Sequence, residues 1–164
     1  MNIVFVNPEI PQNTGSTARL CAATGAVLHL VGRLGFRIDS ASVKRAGLDY
    51  WESVDVRRHA SFDDFIAAAG QGARLWLFTK RAERAYSDVE YSPDDYLVFG
   101  CESVGLPKSI TAKFSGRLLR IPIRDEVRSL NLATSAGIVL YEALRQMDFA
   151  GIESVGAAAP KEEM

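Results

Sequence analysis

Short apolar runs rich in β-formers recur along the chain at residues 3–6, 27–31, 74–78 and 96–99. Each run is bounded by turn residues and is apolar at nearly every position, the mark of a strand buried on both faces of a parallel sheet. Extended segments at 53–58 and 118–121 add two more strands. Helical patterns fall between them at 16–24, 41–47, 61–69 and 109–114, with Thr14 or Ser16 as the cap of the first and Ser61 as the cap of the third. Gly25 stops the first helix. Strands alternating with helices predict an α/β domain, a parallel sheet flanked by helices, over residues 1–150. Residues 151–164 read as a frayed tail.

The stretch 120–146 stands apart. It leaves a strand, crosses a charged loop at 124–130 and becomes a long helix over 135–146. The helix repeats Ala133, Ala136, Gly137, Val139, Leu140, Ala143 and Leu144 at helical spacing. Small residues occupy much of its apolar face, so a second backbone can approach closely. A buried core helix and a helix pressed against a loop, a ligand or a partner subunit both fit.

Composition narrows the classes. With 164 residues, 48% hydrophobic and 24% charged, the chain suits one soluble domain. The net charge of -1 argues against a broad nucleic-acid-coating surface and leaves room for a local basic patch. Arg33, Arg37, Lys44, Arg45, Arg57 and Arg58 are interspersed with acids, which fits either a mixed solvated surface or a phosphate-contacting strip. Cys21 and Cys101 are far apart and read as free thiols. With two histidines and two scattered cysteines, no zinc-ligand pattern appears, so no metal is expected. No apolar run is long enough to cross a bilayer, and a cytoplasmic protein is expected.

The candidate chemistry lies where strands end. Open α/β sheets bind ligands at the carboxyl ends of their strands. Phe78, Gly100 and Ile121 all sit at such ends, the second in the glycine-bearing loop Gly100-Cys101-Glu102-Ser103-Val104-Gly105-Leu106-Pro107. Asn13 and Arg19 follow the first strand, where a helix start can hold an anion; a turn residue and a solvated arginine are the alternatives. No GxGxxG follows the first strand, and neither a P-loop nor a GxSxG elbow is present. His29 falls within a strand and reads as structural.

Three motifs in order resemble the trefoil-knotted (SPOUT-class) RNA methyltransferases. They are Asn13-Thr14-Gly15 with Arg19, then the Phe99–Pro107 loop, then Ile121-Pro122-Ile123 with Ser129-Leu130-Asn131-Leu132-Ala133 and the final helix. The PEIPQNTG opening, Arg45-Ala46-Gly47-Leu48-Asp49-Tyr50 and Tyr141-Glu142-Ala143 resemble the small single-domain branch that 2′-O-methylates the tRNA wobble position. Phe78 departs from the family's more usual aliphatic residue, and parts of the last helix carry smaller residues.

The resemblance implies a deep C-terminal trefoil knot, an exception among folds, and S-adenosylmethionine as cofactor. It places Phe78, Gly100, Glu102, Gly105, Ile121, Ser129 and Leu130 at the cofactor. Glu102 is implied near the sulfonium, where it places the loop or the positive charge, with a loop salt bridge as the alternative. Arg19, Asn13, Ser129, Asn131 and Tyr141 are implied at the transfer step, with helix packing as the alternative for Tyr141. The implied substrate is the anticodon region of tRNA, at cytidine or modified uridine 34, with leucine isoacceptors expected. An isologous homodimer is implied, with Arg19 of one chain beside the cofactor loops of the other. Other tRNA positions, ribosomal RNA and a non-catalytic RNA-binding module are the alternatives.

Overall fold

The computed structural model describes residues 1–36 and 53–152. The expected helix at 41–47, Arg37, Lys44, Arg45 and most of the expected tail lie outside them. The described elements are β1 (Asn2–Val6), α1 (Pro11–Thr24), β2 (Val27–Val31), β3 (Val56–His59), α2 (Phe62–Ala69), β4 (Leu75–Phe78), β5 (Tyr96–Phe99), α3 (Lys108–Lys113), β6 (Leu118–Leu119) and α4 (Leu132–Gln146). The strands form one sheet in the order β3-β2-β1-β5-β4-β6, and every pairing is parallel.

Each strand divides its side chains between two cores, because successive residues point to opposite faces. Ile3, Phe5, Leu28, Leu30, Leu97, Phe99 and Leu119 pack with Ala18 and Cys21 of α1 and Val139, Leu140 and Ala143 of α4. Val4, Val6, Val31, Leu75, Leu77 and Val98 face the other way, against Phe65 of α2 and Ile110 of α3. Burial on both faces explains why the strands read as unbroken apolar runs. Cys21 and Cys101 are buried free thiols, and burial pushes the Cys21 thiol up to about 12, so it stays protonated and unreactive.

Two helix starts differ from the sequence expectation. Helix α1 begins at Pro11, not at Ser16, so neither Thr14 nor Ser16 caps it; both lie within the helix. Proline suits the first helical position because its missing N–H would have no intrahelical partner there. Asn13, Thr14 and Gly15 are buried helix residues and not a loop. Helix α4 begins at Leu132, three residues before the expected start, and Asn131 caps it by accepting from the Thr134 N–H at 3.1 Å. The last strand is also shorter than the 118–121 expected.

The segment after β4 arches over the end of β6. Thr79 N–H donates to Leu119 O, Arg120 N–H to Arg84 O, and Tyr86 N–H to Arg120 O, each at 2.9 Å. The same segment is tied to the last turn of α4: Gln146 Nε2 donates to Val89 O and Tyr91 N–H donates to Gln146 Oε1, both at 3.1 Å. Residues 118–121 are therefore held against residues 79–91, which are tied in turn to the end of α4.

His29 is the one histidine buried in the sheet, at 3% exposure. Its Nδ1 lies 3.0 Å from His59 Nε2, and the two rings stack. Burial, then the neighbouring His59 and Arg57, pull its pKa from the usual 6.5 to about 4. Between those values the unfolded chain takes up a proton that the folded chain excludes. Stability is therefore complete at neutral pH and falls as pH drops from 6.5 towards 4. Urea unfolding should lose roughly 2–3 kcal/mol across this window, and His29→Leu should flatten the slope. An unchanged slope in that variant would assign the acid sensitivity to other groups.

Candidate active site

β1 and β5 are neighbours although the chain passes through β2, β3 and β4 between them. The strand order reverses at this point, where open α/β sheets form their ligand crevice. A cleft of about 970 Å³ opens there, at the carboxyl ends of β4, β5 and β6. Phe78 and Phe99 stack in its floor with centroids 4.6 Å apart. Ile121, Leu130 and Leu132 add apolar surface, while Lys80, Arg81, Arg128, Ser129 and Asn131 bring polar groups.

The loop after β5 makes a tight turn: Gly105 N–H donates to Cys101 O at 3.0 Å. Gly105 has φ 75°, a left-handed conformation that glycine adopts without a steric penalty. Gly100 is required for a different reason: a Cβ there would collide with the backbone of Gly105 and Leu106. Gly100 is thus in the first place a residue that lets the loop close on itself. A valine at Gly100 therefore deforms the loop as well as obstructing the pocket.

Glu102 reaches from this loop to the start of α1. Its carboxylate accepts from Glu9 N–H at 2.8 Å, Ile10 N–H at 3.2 Å and Asn13 Nδ2 at 2.8 Å. Ile10 offers no side-chain cap, so a carboxylate 92 residues away in sequence satisfies the helix start and complements its dipole. These three contacts join the β5 loop to the start of α1. Asn13 passes the connection on, accepting from Asn131 Nδ2 at 2.8 Å. Asn131 in turn caps α4. The chain Glu102–Asn13–Asn131 thus fixes the β5 loop, α1 and α4 to one another.

Of the residues singled out in the sequence, Phe78, Gly100, Glu102, Gly105, Ile121, Ser129, Leu130, Asn13 and Asn131 all line the cleft. Arg19 and Tyr141 do not line it within their own chain. Arg19 is exposed on α1, and Tyr141, on α4, is 48% exposed. Sequence reasoning missed Lys80, Arg81, Lys108 and Val104, which also line the cleft. Lys80 and Arg81 were detectable as cations directly following a predicted strand end.

Comparison with known proteins places this geometry. The SpoU rRNA Methylase family model matches residues 1–141. The chain belongs to this family. It is 45% identical to the tRNA (cytidine(34)-2'-O)-methyltransferase of Burkholderia ambifaria over 152 residues, 92% of this chain and 97% of that one. A solved structure that describes 2-OH methylation of C/U34 on tRNA superposes with a TM-score of 0.85 at 48% identity, over 90% of this chain and 95% of that one. The AdoMet-bound rRNA methyltransferase of Sinorhizobium meliloti shares the fold with a TM-score of 0.78 at 29% identity, over 89% of this chain and 56% of that longer one. The α/β sheet and threaded C terminus of this SpoU chain are those of a knotted methyltransferase.

The cleft suits S-adenosylmethionine chemically. Aromatic and aliphatic side chains offer a surface for a purine, and three loops present backbone donors and acceptors beside it. Glu102 lines the cleft as well, with its carboxylate held by three N–H donors. No helix among the described residues is long and apolar enough to cross a membrane.

Proposed function

We propose that this chain transfers a methyl group from S-adenosylmethionine to the ribose 2′-hydroxyl of nucleotide 34 in tRNA, at cytidine or a modified uridine. The observation that supports this most is the cleft at the reversal of strand order, joined through Glu102, Asn13 and Asn131 to the starts of α1 and α4. Likeness to the Burkholderia enzyme over nearly the whole chain supplies the substrate. Such an enzyme meets its tRNA in the cytoplasm.

Phe78, Ile121 and Leu130 would hold the adenosyl moiety, with backbone of the Gly100–Gly105 loop and Ser129 beside it. The cofactor supplies the electrophilic methyl group. The protein's own contribution is alignment, since an in-line displacement depends on the placement of the attacking oxygen. Asn131 donates to Asn13, which donates in turn to Glu102, so the two asparagines form a rigid polar edge to the cleft. Ser129, exposed in the loop before α4, faces the substrate side. Arg19 stabilises the developing alkoxide and clamps a phosphate; its guanidinium remains protonated, so the hydroxyl proton passes to a neighbour or to water. Tyr141 orients Arg19 or the substrate.

Because Arg19 is outside the cleft of its own chain, the site is completed by a second copy in an isologous homodimer. α1 and α4 pack together and leave Gln12, Ser16, Arg19 and Ala23 exposed on α1 beside Thr134 and Tyr141 on α4. This face supplies the contact.

Leucine tRNA transcripts carrying a 2′-deoxy nucleotide at position 34 test the reaction. Radiolabelled methyl transfer should occur to the unmodified transcript and disappear with the 2′-deoxy one. Equal incorporation into both would move the target elsewhere.

A further inference from the structure

The contact between the β1–α1 loop and the β5 loop runs in both directions. Glu102 accepts from the Glu9 N–H at 2.8 Å. Glu9 in turn accepts from Ser103 N–H at 3.0 Å and from Ser103 Oγ at 2.8 Å. Two carboxylates from segments about ninety residues apart therefore each satisfy the other segment's backbone. The backbone of Glu9 is itself fixed from behind. Gly35 N–H donates to Pro8 O at 2.9 Å, and Gly35 lies so close that a Cβ there would come within 2.8 Å of Glu9 Cα. Glu9 is thus a side chain on an anchored backbone that grips the tip of the β5 loop.

The two halves of this exchange hold different things. Glu102 secures the helix start and Asn13. Glu9 reaches Ser103, next to Val104, which is 84% exposed and lines the cleft. Without Glu9, the turn closed by Gly105 N–H on Cys101 O and the Glu102 contacts remain, but Ser103 loses its tie to the β1–α1 loop and the loop tip can shift at the cleft wall. A loop that must be ordered on binding costs affinity, whereas a loop already held does not.

We propose that Glu9 is a positioning residue for the cofactor site. Through Ser103 it holds the tip of the β5 loop in its binding conformation. The inference rests on the reading of this cleft as the S-adenosylmethionine site. It assigns Glu9 no contact with the reacting atoms, and hydrogen bonding, not negative charge, carries the effect.

Calorimetric titration of the full chain with S-adenosylmethionine tests it, with single-turnover methylation at saturating cofactor as the second measurement. Glu9→Ala, which removes both bonds to Ser103, should weaken cofactor binding about tenfold, the scale of one hydrogen-bonding contact. Ser103→Ala removes only the hydroxyl bond and keeps the backbone N–H bond, so it should weaken binding less, and the double variant should be no weaker than Glu9→Ala alone. Glu9→Gln should stay within about threefold of the parent, because an amide can accept the Ser103 N–H and donate to its hydroxyl. Methylation at saturating cofactor should change far less than affinity. Additive effects, unchanged affinity in Glu9→Ala, or a Glu9→Gln variant as weak as Glu9→Ala would each overturn the proposal. Ser103→Ala keeps the test open if Glu9→Ala does not fold. A parent chain that fails to bind S-adenosylmethionine would instead overturn the assignment of the cleft.

Discussion

Arg19→Ala is expected to lower the single-turnover rate of tRNA methylation by roughly a hundredfold or more, the scale seen when a donor to a developing oxyanion is removed. Cofactor affinity should remain near the parent value, because the role proposed for Arg19 is toward the alkoxide and the tRNA phosphate and not toward the cofactor. The substitution is on an exposed helix position, and alanine is the best helix former, so the fold should be unaffected. The proposed targets of the Arg19 charge are groups that form or bind late, the alkoxide and the tRNA phosphate. Rapid-quench measurement with saturating tRNA separates those two contributions. Turnover at the parent rate would reduce Arg19 to a surface residue and remove the proposed mechanism.

A charge placed on the exposed face of α1 should abolish activity by a different route. Ala136 on α4 looked suitable for such a test from sequence, as part of a face of small residues. It is fully buried in the core, so a charge there would unfold the chain and say nothing about assembly. Ala23 is exposed near the carboxyl end of α1, where a cation complements the helix dipole. Ala23→Arg should therefore fold, run as a monomer in light scattering, and lose both tRNA binding and methylation. Mixing Arg19→Ala with Gly100→Ala, whose loop cannot close, gives the complementary result. Mixed dimers regain one complete site, restoring about a quarter of parental activity for statistical pairing in a two-fold assembly. A fully active Ala23→Arg monomer, or no recovery on mixing, would exclude the shared site.

The distinction between Ala136 and Ala23 shows what the sequence alone could and could not supply. Apolar strands of four or five residues, alternating with helices, were enough for a parallel sheet covered on both faces. This inference is local: each strand's side-chain alternation is set by its own backbone. The carboxyl ends of those strands located the cleft, and Phe78, Gly100, Ile121 and the 129–131 run were legible there because glycine and polar residues interrupt otherwise apolar patterns. The start of α1 was not legible. PEIPQNTG reads as a loop, since its helix has no side-chain cap of its own; the cap is Glu102, and only folding brings that carboxylate to the Ile10 N–H. The contacts of Glu102 and Gly100 were illegible for the same reason. One contacts a helix start and the other its own loop's backbone, and neither distance is encoded in local spacing. Whether a small helix residue faces core or solvent likewise depends on which neighbour covers it, and for α4 that neighbour is a helix more than a hundred residues earlier in the chain.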